Sequence, residues 1–512
     1  MRKTIKFLSG ECWYGGAVDL GEKYPVFAGD DLFIDTTENP THSQLNPVFL
    51  SDKGRYIWLE NGGSVHFNKG KIIINAPEID FVKAGKTLKQ AACAAAQKHY
   101  PPSGETPDKT AFSVPQYCSW TVFLWSQNQQ KILDYARSIV KNGFKPGILI
   151  IDDTWQKDYG VWEFNPAYFP DPKAMMQELK SLGFKVSLWM CPYISPDSPK
   201  AAEYAPWIFD HISAGRVITN EKGAPRFASW WEGYSAQLDF VSSPAAKQWI
   251  NENALRLIED YGVFGFKMDG GDAEYFESDY KYKNAQSTLW IDSIDYGVKE
   301  ARCLYKLANK PIIYRLNDKK HVWKSTPKGE LGLSSLIPCI LTQGLVGYVF
   351  GCPDMVGGGL ACDFIDKSGL DDELIVRWCQ ASALLPMVQF SLDVWNIKKN
   401  RIAEICKKTM DLREKLTPYI VEKLTEAGKS GVPAVRYLEY EYPSSGYKGI
   451  TDEFMLGEKY LVAPVLEKGA DKRKVVFPAG KWKDILSGEV YFGGVSEVSA
   501  PIDKLPVFEK IG

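Results

Sequence analysis

Four short apolar runs, each ending in polar or aromatic side chains, constrain the fold of this chain more than any other feature. They occupy residues 147–155, 185–192, 264–272 and 311–318. Runs of this length are typical of strands buried on both faces of a parallel sheet. Segments with helical character alternate with them, so we predict an α/β fold with a (β/α)8 (TIM) barrel. In such a barrel the last residues of all strands meet at one rim, where active sites are built.

The segments between and after these runs have helical or buried character. We predict one helix near residues 172–182 and another over about 288–308. Residues 333–352 contain no charged side chain, but they include Pro338 and several Ser, Thr and Gly residues, which indicates a buried helix and strand rather than a membrane span. A further helix is expected over 412–427, kinked or restarted at Pro418.

The length of 512 residues exceeds what one hydrophobic core supports, so several domains are expected. Residues 1–112 alternate short β-type runs, such as 65–67 and 71–75, with turn residues, which predicts an N-terminal β-sandwich. We assign residues 113–430 to the catalytic barrel. The β-rich stretch 431–512 is predicted to be a C-terminal β-sandwich.

Composition excludes several classes of function. With 61 basic and 63 acidic residues the net charge is −2, which favours neither nucleic acid nor an anionic membrane as a partner. The five His and ten Cys show no metal-ligand spacing, so we expect no metal and no cofactor, and we interpret the cysteines as thiols in a reducing compartment. The first residues lack the pattern of a signal peptide, which makes the cytoplasm the expected location. A homo-oligomeric state stays open.

Carboxylates follow two of the apolar runs. Asp269 ends the run at 264–268 and is followed by two glycines, which makes it the candidate nucleophile; alternatively, it only opens a turn. Asp318 and Arg315 end the run at 311–318, and we expect the two carboxylates on neighbouring strand ends. Carboxylates and indoles that converge at one rim are typical of a sugar site, because acids perform the chemistry and aromatic faces pack against the ring. The expected partner is therefore a small oligosaccharide or glycoside.

Other side chains near these strand ends are candidates for substrate binding. Asp152 and Asp153 are expected to accept hydrogen bonds from sugar hydroxyls, unless they serve as turn or cap residues. Lys267 is expected to hold Asp269 in its ionised form; the alternative is a strand-end lysine that reaches solvent. The stretch 13–16 either reaches the site or forms a hairpin turn. Candidates for stacking on the sugar, of which at least one is expected in the core, are Trp155, Trp189, Trp230 and Trp231.

Taken in order, the motifs resemble those of glycoside hydrolase family 31, and the resemblance extends over nearly the whole chain. They include Cys-Trp-Tyr-Gly-Gly at 12–16, Ile-Asp-Asp-Thr-Trp at 151–155, Phe-Lys-Met-Asp at 266–269, Pro-Asp-Met-Val-Gly-Gly at 353–358 and Arg-Trp-Cys-Gln at 377–380. Within the family the chain resembles the branch whose members act on α-galactosides. The resemblance implies a TIM barrel with flanking β-sandwiches.

The resemblance also implies roles for individual residues. Asp269 falls on the nucleophile, and Asp318, followed five residues later by Trp323, takes the place of the acid/base although the usual Trp-x-Gly-Asp string is absent. Asp239 and Asp354 resemble positions that line the sugar subsite, with a turn or cap role as the alternative for each. Asp272, Gln389 and Ser391 stand where the family usually has Glu, Arg and His, and these departures argue against an ordinary α-glucosidase pocket.

The function implied is a retaining, exo-acting glycoside hydrolase that releases terminal α-linked galactose through a covalent glycosyl-enzyme intermediate. A retaining enzyme needs an ionised and a protonated carboxyl about 5 to 5.5 Å apart. Asp318 is expected to stay protonated through burial or through the charge of Asp269, and Arg315 to orient sugar hydroxyls. The alternatives are an α-glucosidase, an α-N-acetylgalactosaminidase, or a pseudoenzyme that binds carbohydrate without cleaving it.

Overall fold

Eight parallel strands form the centre of the protein in a computed structural model, which describes residues 1–195, 208–230, 233–397 and 401–512. The first seven strands are hydrogen-bonded in consecutive pairs, and the first strand also pairs with the eighth. A single bridge between Met355 and Gln389 joins the seventh strand's loop to the eighth strand, so the barrel is nearly closed and the predicted fold class is confirmed. The barrel strands are Gln116–Cys118, Ile148–Ile151, Lys185–Met190, Gly265–Met268, Val298–Ala301, Ile313–Arg315, Gly351–Cys352 and Gln389–Phe390.

The register of the barrel brings chemically useful side chains to one height. Lys267 of the fourth strand lies opposite Trp189 of the third and Glu300 of the fifth. Asp269 follows the fourth strand directly, so its carboxylate emerges just above this layer at the C-terminal rim. Gly265 starts the fourth strand because a Cβ atom there would lie 2.2 Å from the carbonyl oxygen of Val298.

The fifth strand corrects one prediction and its consequence. The helix expected over 288–308 ends at Asp292, since the helix is Lys283–Asp292 and Val298–Ala301 belongs to the barrel. Parallel ladders on both sides of Val298–Ala301 override the helical character of the sequence. Asp269 and Asp318 therefore follow the fourth and the sixth strands. The prediction that they lie on neighbouring strand ends is wrong, because the fifth strand lies between them.

The other helix predictions have mixed outcomes. The helix near 172–182 is confirmed as Pro172–Ser181, and the stretch 333–352 does contain a buried helix, Leu336–Leu345, followed by the strand Gly351–Cys352. The helix predicted at 412–427 is longer than expected and spans Ile402–Ser430. It continues through Pro418 and does not restart there. Burial of its long apolar stripe outweighs the backbone hydrogen bond that the proline lacks. The remaining long helices are Leu88–His99, Gln129–Lys141, Pro244–Tyr261 and Asp372–Ala383.

The N-terminal strands form two antiparallel sheets that face each other. Trp13 and Phe49 of one sheet pack against Phe67 of the other, as in a sandwich. The strand Leu304–Tyr305, which follows the fifth barrel strand, pairs with Gln44–Ser51 and so extends the sheet that contains Trp13 and Phe49. The sheets consist of Arg2–Lys6, Lys71–Asn75, Ser64–Asn68 and Asp31–Asp35, and of Val26–Phe27, Cys12–Ala17, Gln44–Ser51, Arg55–Trp58 and Asp80–Lys83.

The C-terminal residues form one six-stranded antiparallel sheet with a long hairpin. One hydrophobic core is continuous from the N-terminal sheets through the barrel to the first strands of this sheet. Within the described residues no helix combines the length and the apolar character needed to cross a lipid bilayer. The strands of the C-terminal sheet are Val435–Arg436, Phe454–Leu456, Tyr460–Val462, Val507–Lys510, Lys472–Asp484 and Val490–Ser499.

Candidate active site

A cavity of about 260 Å³ opens at the C-terminal rim of the barrel. Most of its lining residues come from the ends of barrel strands or from the loops that follow them, which is where this fold places its active sites. One lining residue, His42, comes from the N-terminal region. The cavity is lined by His42, Trp120, Asp152, Asp153, Trp189, Trp230, Lys267, Asp269, Tyr275, Arg302, Asn317, Asp318 and Leu360.

Asp269 lies in the wall of the cavity with one oxygen more heavily bonded than the other. Its Oδ1 atom accepts hydrogen bonds from Arg302 Nε at 2.8 Å and from the backbone N–H of Gly270 at 2.9 Å. Its Oδ2 atom accepts one hydrogen bond, from Trp189 Nε1 at 3.2 Å. The Oδ2 atom therefore keeps a lone pair that can point into the cavity.

Cations around Asp269 keep it ionised. Burial by itself would raise the pKa of this carboxyl, but the charges of Arg302, Arg315 and Lys267 lower it far below its ordinary value. The hydrogen bond from Arg302 acts in the same direction. Asp269 is thus anionic at any physiological pH, as a nucleophile requires.

Arg302 is the main partner of Asp269, and we did not predict it. Its guanidinium also makes a bidentate pair with the buried Asp272, with Nη1–Oδ1 and Nη2–Oδ2 distances of 2.7 and 2.8 Å. His42 Nδ1 lies 3.0 Å from Asp272 Oδ1. These side chains connect the N-terminal region to the candidate nucleophile. Asp272 therefore orients Arg302, whose fixed fork matches a carboxylate.

Two circumstances hid this group in the sequence. Arg302 follows a strand, Val-Lys-Glu-Ala, that carries two charged residues and resembles no buried strand. His42 lies 230 residues from Asp272 along the chain, and no local pattern connects them. The stretch 13–16, which was a candidate for reaching the site, lies within the buried strand Cys12–Ala17 and does not line the cavity.

Asp318 lines the cavity on the far side of the fifth strand. It accepts a hydrogen bond from Arg315 Nη1, and its side chain is 29% exposed. Arg315 itself is buried and does not line the cavity. This position does not agree with our prediction that Arg315 orients sugar hydroxyls. It contacts carboxylates instead, with Nη2 4.0 Å from Asp269 Oδ1 and Nη1 3.3 Å from Asp354 Oδ1.

Asp354 is buried behind Asp318 and does not line the cavity. Its carboxyl accepts hydrogen bonds from Arg315 Nη1 and from the backbone N–H of Lys319. Burial and the like charge of Asp318 raise the pKa of Asp354 to about 7. Arg315 thus contacts both Asp318 and Asp354, and Asp354 can hold a proton next to the candidate acid.

The base of the cavity contains a buried ion pair. Lys267 Nζ lies 2.6 Å from Asp152 Oδ2, and the sulfhydryl of Cys118 donates to the same oxygen at 3.0 Å. Burial would lower the pKa of Lys267, but the charge of Asp152 outweighs it and raises the pKa well above its ordinary value. The alternative interpretation, a strand-end lysine that reaches solvent, does not apply because the Lys267 side chain is buried. Asp153 accepts hydrogen bonds from Tyr159 OH and Gln156 Nε2, both at 2.7 Å.

Two of the predicted stacking residues line the cavity. The rings of Trp189 and Trp230 are nearly parallel, at 6.1 Å and 9°, and Tyr193 also stacks with Trp230 at 4.5 Å. Trp155 belongs to the core, because its indole donates to the carbonyl oxygen of Trp189 and is fully buried away from the cavity. Trp231 lies outside the described residues. Sequence reasoning missed Trp120, Tyr275, Asn317 and Leu360.

Three further residues lie away from the cavity. Asp239 accepts hydrogen bonds from the backbone N–H groups of Val241 and Ser242, so its role is that of a turn residue, the alternative considered for it. Gln389 donates to Gln116 inside the barrel, and Ser391 accepts from the backbone N–H of Thr121. All ten cysteines are free thiols.

The barrel and the C-terminal sheet match a known family. Residues 106–328 and 330–423 match the glycosyl hydrolases family 31 TIM-barrel domain, and residues 431–512 match the glycosyl hydrolase family 31 C-terminal domain. The chain therefore belongs to glycosyl hydrolase family 31, as its motifs indicated.

Particular relatives extend this comparison. The chain is 32% identical to the myogenesis-regulating glycosidase of Mus musculus over 432 residues, which is 81% of this chain and 58% of that protein. It is 25% identical to an alpha-xylosidase of Lactiplantibacillus pentosus, over 96% of this chain and 66% of the relative. The chain thus spans well under the full length of these relatives.

A solved structure shows the same fold. The family 31 dextranase of Flavobacterium johnsoniae, complexed with glucose, superposes with a TM-score of 0.84 at 20% identity, covering 99% of this chain and 66% of that chain. A similar superposition, with a TM-score of 0.82, is found for a family 31 alpha-xylosidase from a soil metagenome, complexed with xylose, at 20% identity over 99% of this chain and 79% of that one.

Proposed function

We propose that this protein is a retaining, exo-acting glycoside hydrolase that releases a terminal α-linked galactose. The observation that carries the proposal is Asp269. It lies in a rim cavity, it is held ionised by surrounding cations, and within the described part of the chain its Oδ2 atom has one hydrogen-bond donor. An ionised carboxylate with an available oxygen is what attack on an anomeric carbon requires.

The reaction proceeds by double displacement. Asp269 Oδ2 forms a bond to the anomeric carbon while the bond from that carbon to the leaving oxygen breaks, and the proton of Asp318 moves to the leaving oxygen. A water molecule then attacks the same carbon, gives its proton to Asp318 and frees Asp269. Arg302 and Gly270 hold Oδ1 throughout, so the carboxylate keeps its orientation as Oδ2 reacts.

The lining of the cavity supports exo action. Its base is formed by the Lys267–Asp152 pair and Asp153, so a sugar ring enters with its non-reducing end towards buried polar groups. We assign the Lys267–Asp152 pair, together with Asp153, to recognition of the axial 4-hydroxyl of galactose. Trp230, which stacks with both Trp189 and Tyr193, supplies a rigid apolar wall that crowds an equatorial substituent. A site whose buried polar groups match one hydroxyl rejects the epimer strongly.

A panel of 4-nitrophenyl α-glycosides tests the sugar preference. We expect kcat/KM on the galactoside to exceed that on the glucoside at least about a hundredfold, which corresponds to ~3 kcal/mol. Comparable rates on the galactoside and the glucoside would contradict the proposed preference for galactose. A higher rate on the glucoside or the N-acetylgalactosaminide would assign the preference to that sugar instead. No release of nitrophenol from any member would refute hydrolysis and leave a carbohydrate-binding pseudoenzyme.

The variant Asp269→Asn tests the nucleophile on whichever glycoside is cleaved. The amide keeps the shape but removes the attacking charge, so we expect turnover to fall by at least about a thousandfold with the fold intact. Asp134→Asn, the same substitution on the exposed face of the helix Gln129–Lys141, serves as the control and should retain full activity. Activity of Asp269→Asn within tenfold of wild type would assign the nucleophile elsewhere.

A further inference from the structure

The wall of the cavity beside Asp318 is built from two loops. Gly359 follows the seventh barrel strand and lies so close to Asp318 that a Cβ atom at 359 would be 3.2 Å from the Cβ and Cγ atoms of that residue. Trp120 Nε1 donates a hydrogen bond of 2.9 Å to the carbonyl oxygen of Gly359. Trp120 and Leu360 both line the cavity. Part of the apolar lining of the cavity therefore lies beside the candidate acid.

This wall continues outward through a second indole. Trp125 is 45% exposed, and its ring packs edge-on against Trp120 with centroids 5.8 Å apart and planes at 81°. The residue before it, Leu124, has φ 49° and ψ −126°, a backbone conformation that residues other than glycine rarely adopt. Such backbone strain persists only where the surroundings enforce it, and it clusters at functional sites. Here it places a large aromatic side chain at the surface next to the cavity.

The chemistry fixes which part of a substrate meets this wall. The acid must reach the leaving oxygen, so the leaving group passes the side of the cavity on which Asp318 lies. A pyranose leaving group presents a face of C–H bonds, and aromatic faces pack against such surfaces. The indoles at this side of the cavity are suited to that contact, whereas the base of the cavity is polar.

We propose that Trp125, supported by Trp120, is the platform on which the leaving-group sugar ring packs. This inference rests on the proposed glycosidase function and adds a substrate class to it: glycosides whose leaving group is itself a pyranose. Trp125 acts on binding and positioning of the leaving group. It takes no part in the reaction of the intermediate with water, because the leaving group has departed by then.

Two substrates with the same terminal sugar separate this role from a general one. One is an α-linked disaccharide, and the other is the glycosyl fluoride, whose leaving group has no ring. The terminal sugar is the one that the wild type accepts in the panel above. For Trp125→Ala we expect kcat/KM on the disaccharide to fall about tenfold, while kcat/KM on the fluoride stays within twofold of wild type. Trp125→Phe keeps an aromatic face and should retain most of the disaccharide activity.

Tyr168→Ala, which also removes an exposed aromatic side chain, is the matched control and should change neither rate constant. If Trp125→Ala does not fold, Trp125→Leu takes its place, since it keeps apolar volume without a ring. Equal changes on the two substrates, or an unchanged rate on the disaccharide, would overturn the platform while leaving the glycosidase function intact. A wild-type protein that cleaves neither substrate would overturn both proposals.

Discussion

Arg315 is a single buried cation among four carboxylates. Besides Asp269, Asp318 and Asp354 it approaches Glu300, with Nε and Oε1 3.4 Å apart. Asp269 is paired with Arg302 as well, whereas the other three carboxylates share Arg315, and burial favours the protonated form of Glu300 and Asp354. Burial raises the pKa of Glu300, and burial together with Asp318 raises that of Asp354. The proposed acid therefore lies beside carboxyls whose pKa is raised, and the nucleophile lies beside cations.

The proposed role of Asp318 predicts a dependence on the leaving group. Asp318→Ala should lower kcat/KM on a disaccharide by at least about a hundredfold, and much less on an aryl glycoside, because a phenol leaves without a proton. Azide should restore turnover of the aryl substrate by attacking the intermediate in the space left by the side chain. Steady-state rates on both substrates, with and without azide, measure this.

Asp363→Ala, a change in the loop after the seventh barrel strand, is the control for that experiment, since Asp363 does not line the cavity. Equal losses on both substrates without azide rescue would move the acid role to another carboxyl. Asp354 would be examined first, since it lies next to Asp318 and its pKa is raised to about 7.

Among the secondary-structure elements, the strands that the sequence predicted are those in which apolar residues predominate. The strand Ile148–Ile151 is a run of four buried aliphatic residues, whereas Val298–Ala301 contains Lys299 and Glu300. Glu300 points into the barrel, where Gln389 and Arg315 pair with it, so a charged residue stands where an apolar one was expected. The pattern of the sequence shows burial but not polar pairing inside the barrel, and Arg302 was missed for the same reason.

A buried glutamate in the C-terminal sheet gives a prediction at this scale. Glu453, just before the strand Phe454–Leu456, accepts a hydrogen bond from the backbone N–H of Val476 in the long hairpin. Burial raises the pKa of Glu453 to about 8, although Arg473 opposes the shift. In the unfolded chain this carboxyl ionises near its ordinary pKa of 4.5, so folding binds a proton between these pH values. The contribution of Glu453 to stability is therefore lost as pH rises from about 4.5 through about 8.

The variant Glu453→Gln removes this pH dependence while keeping the oxygen that accepts from Val476. Thermal unfolding should show the variant close to wild type at pH 5 and more stable at pH 9, by a free energy on the order of 2 kcal/mol. Glu467→Gln, at an exposed position of the same region, should show no such trend. A stability difference that does not grow with pH would contradict the buried, protonated state of Glu453.

At the scale of the whole molecule, the site joins regions that are far apart in sequence. His42 belongs to the N-terminal region, and it contacts Asp272, which holds Arg302 against the nucleophile. The sequence predicted the barrel and most of its rim, because strand ends are local features. It did not predict His42, because the contact depends on how the sandwich packs on the barrel.

This contact predicts a pH effect in the same direction as that of Glu453, because the pKa of His42 is also raised in the folded protein. The hydrogen bond to Asp272 raises the pKa of His42 above 6.5, although burial and Arg302 oppose the shift; Glu274, 3.6 Å away, also favours the charged form. The stabilising contact is complete below the unfolded pKa of 6.5 and is lost as pH rises through the raised value. His42→Gln should thus lower the melting temperature more at pH 5.5 than at pH 9. A pH-independent difference would contradict the ion pair.

The strand Leu304–Tyr305 leaves the barrel two residues after Arg302 and becomes part of the N-terminal sheet beside Gln44–Ser51. The sandwich is for this reason not an exchangeable module. Replacing residues 1–112 by the corresponding part of a relative would remove the strand on which the segment after Arg302 is anchored, and the arginine that holds the nucleophile would lose its support. Recombination within the family would have to carry this pair of strands as one unit.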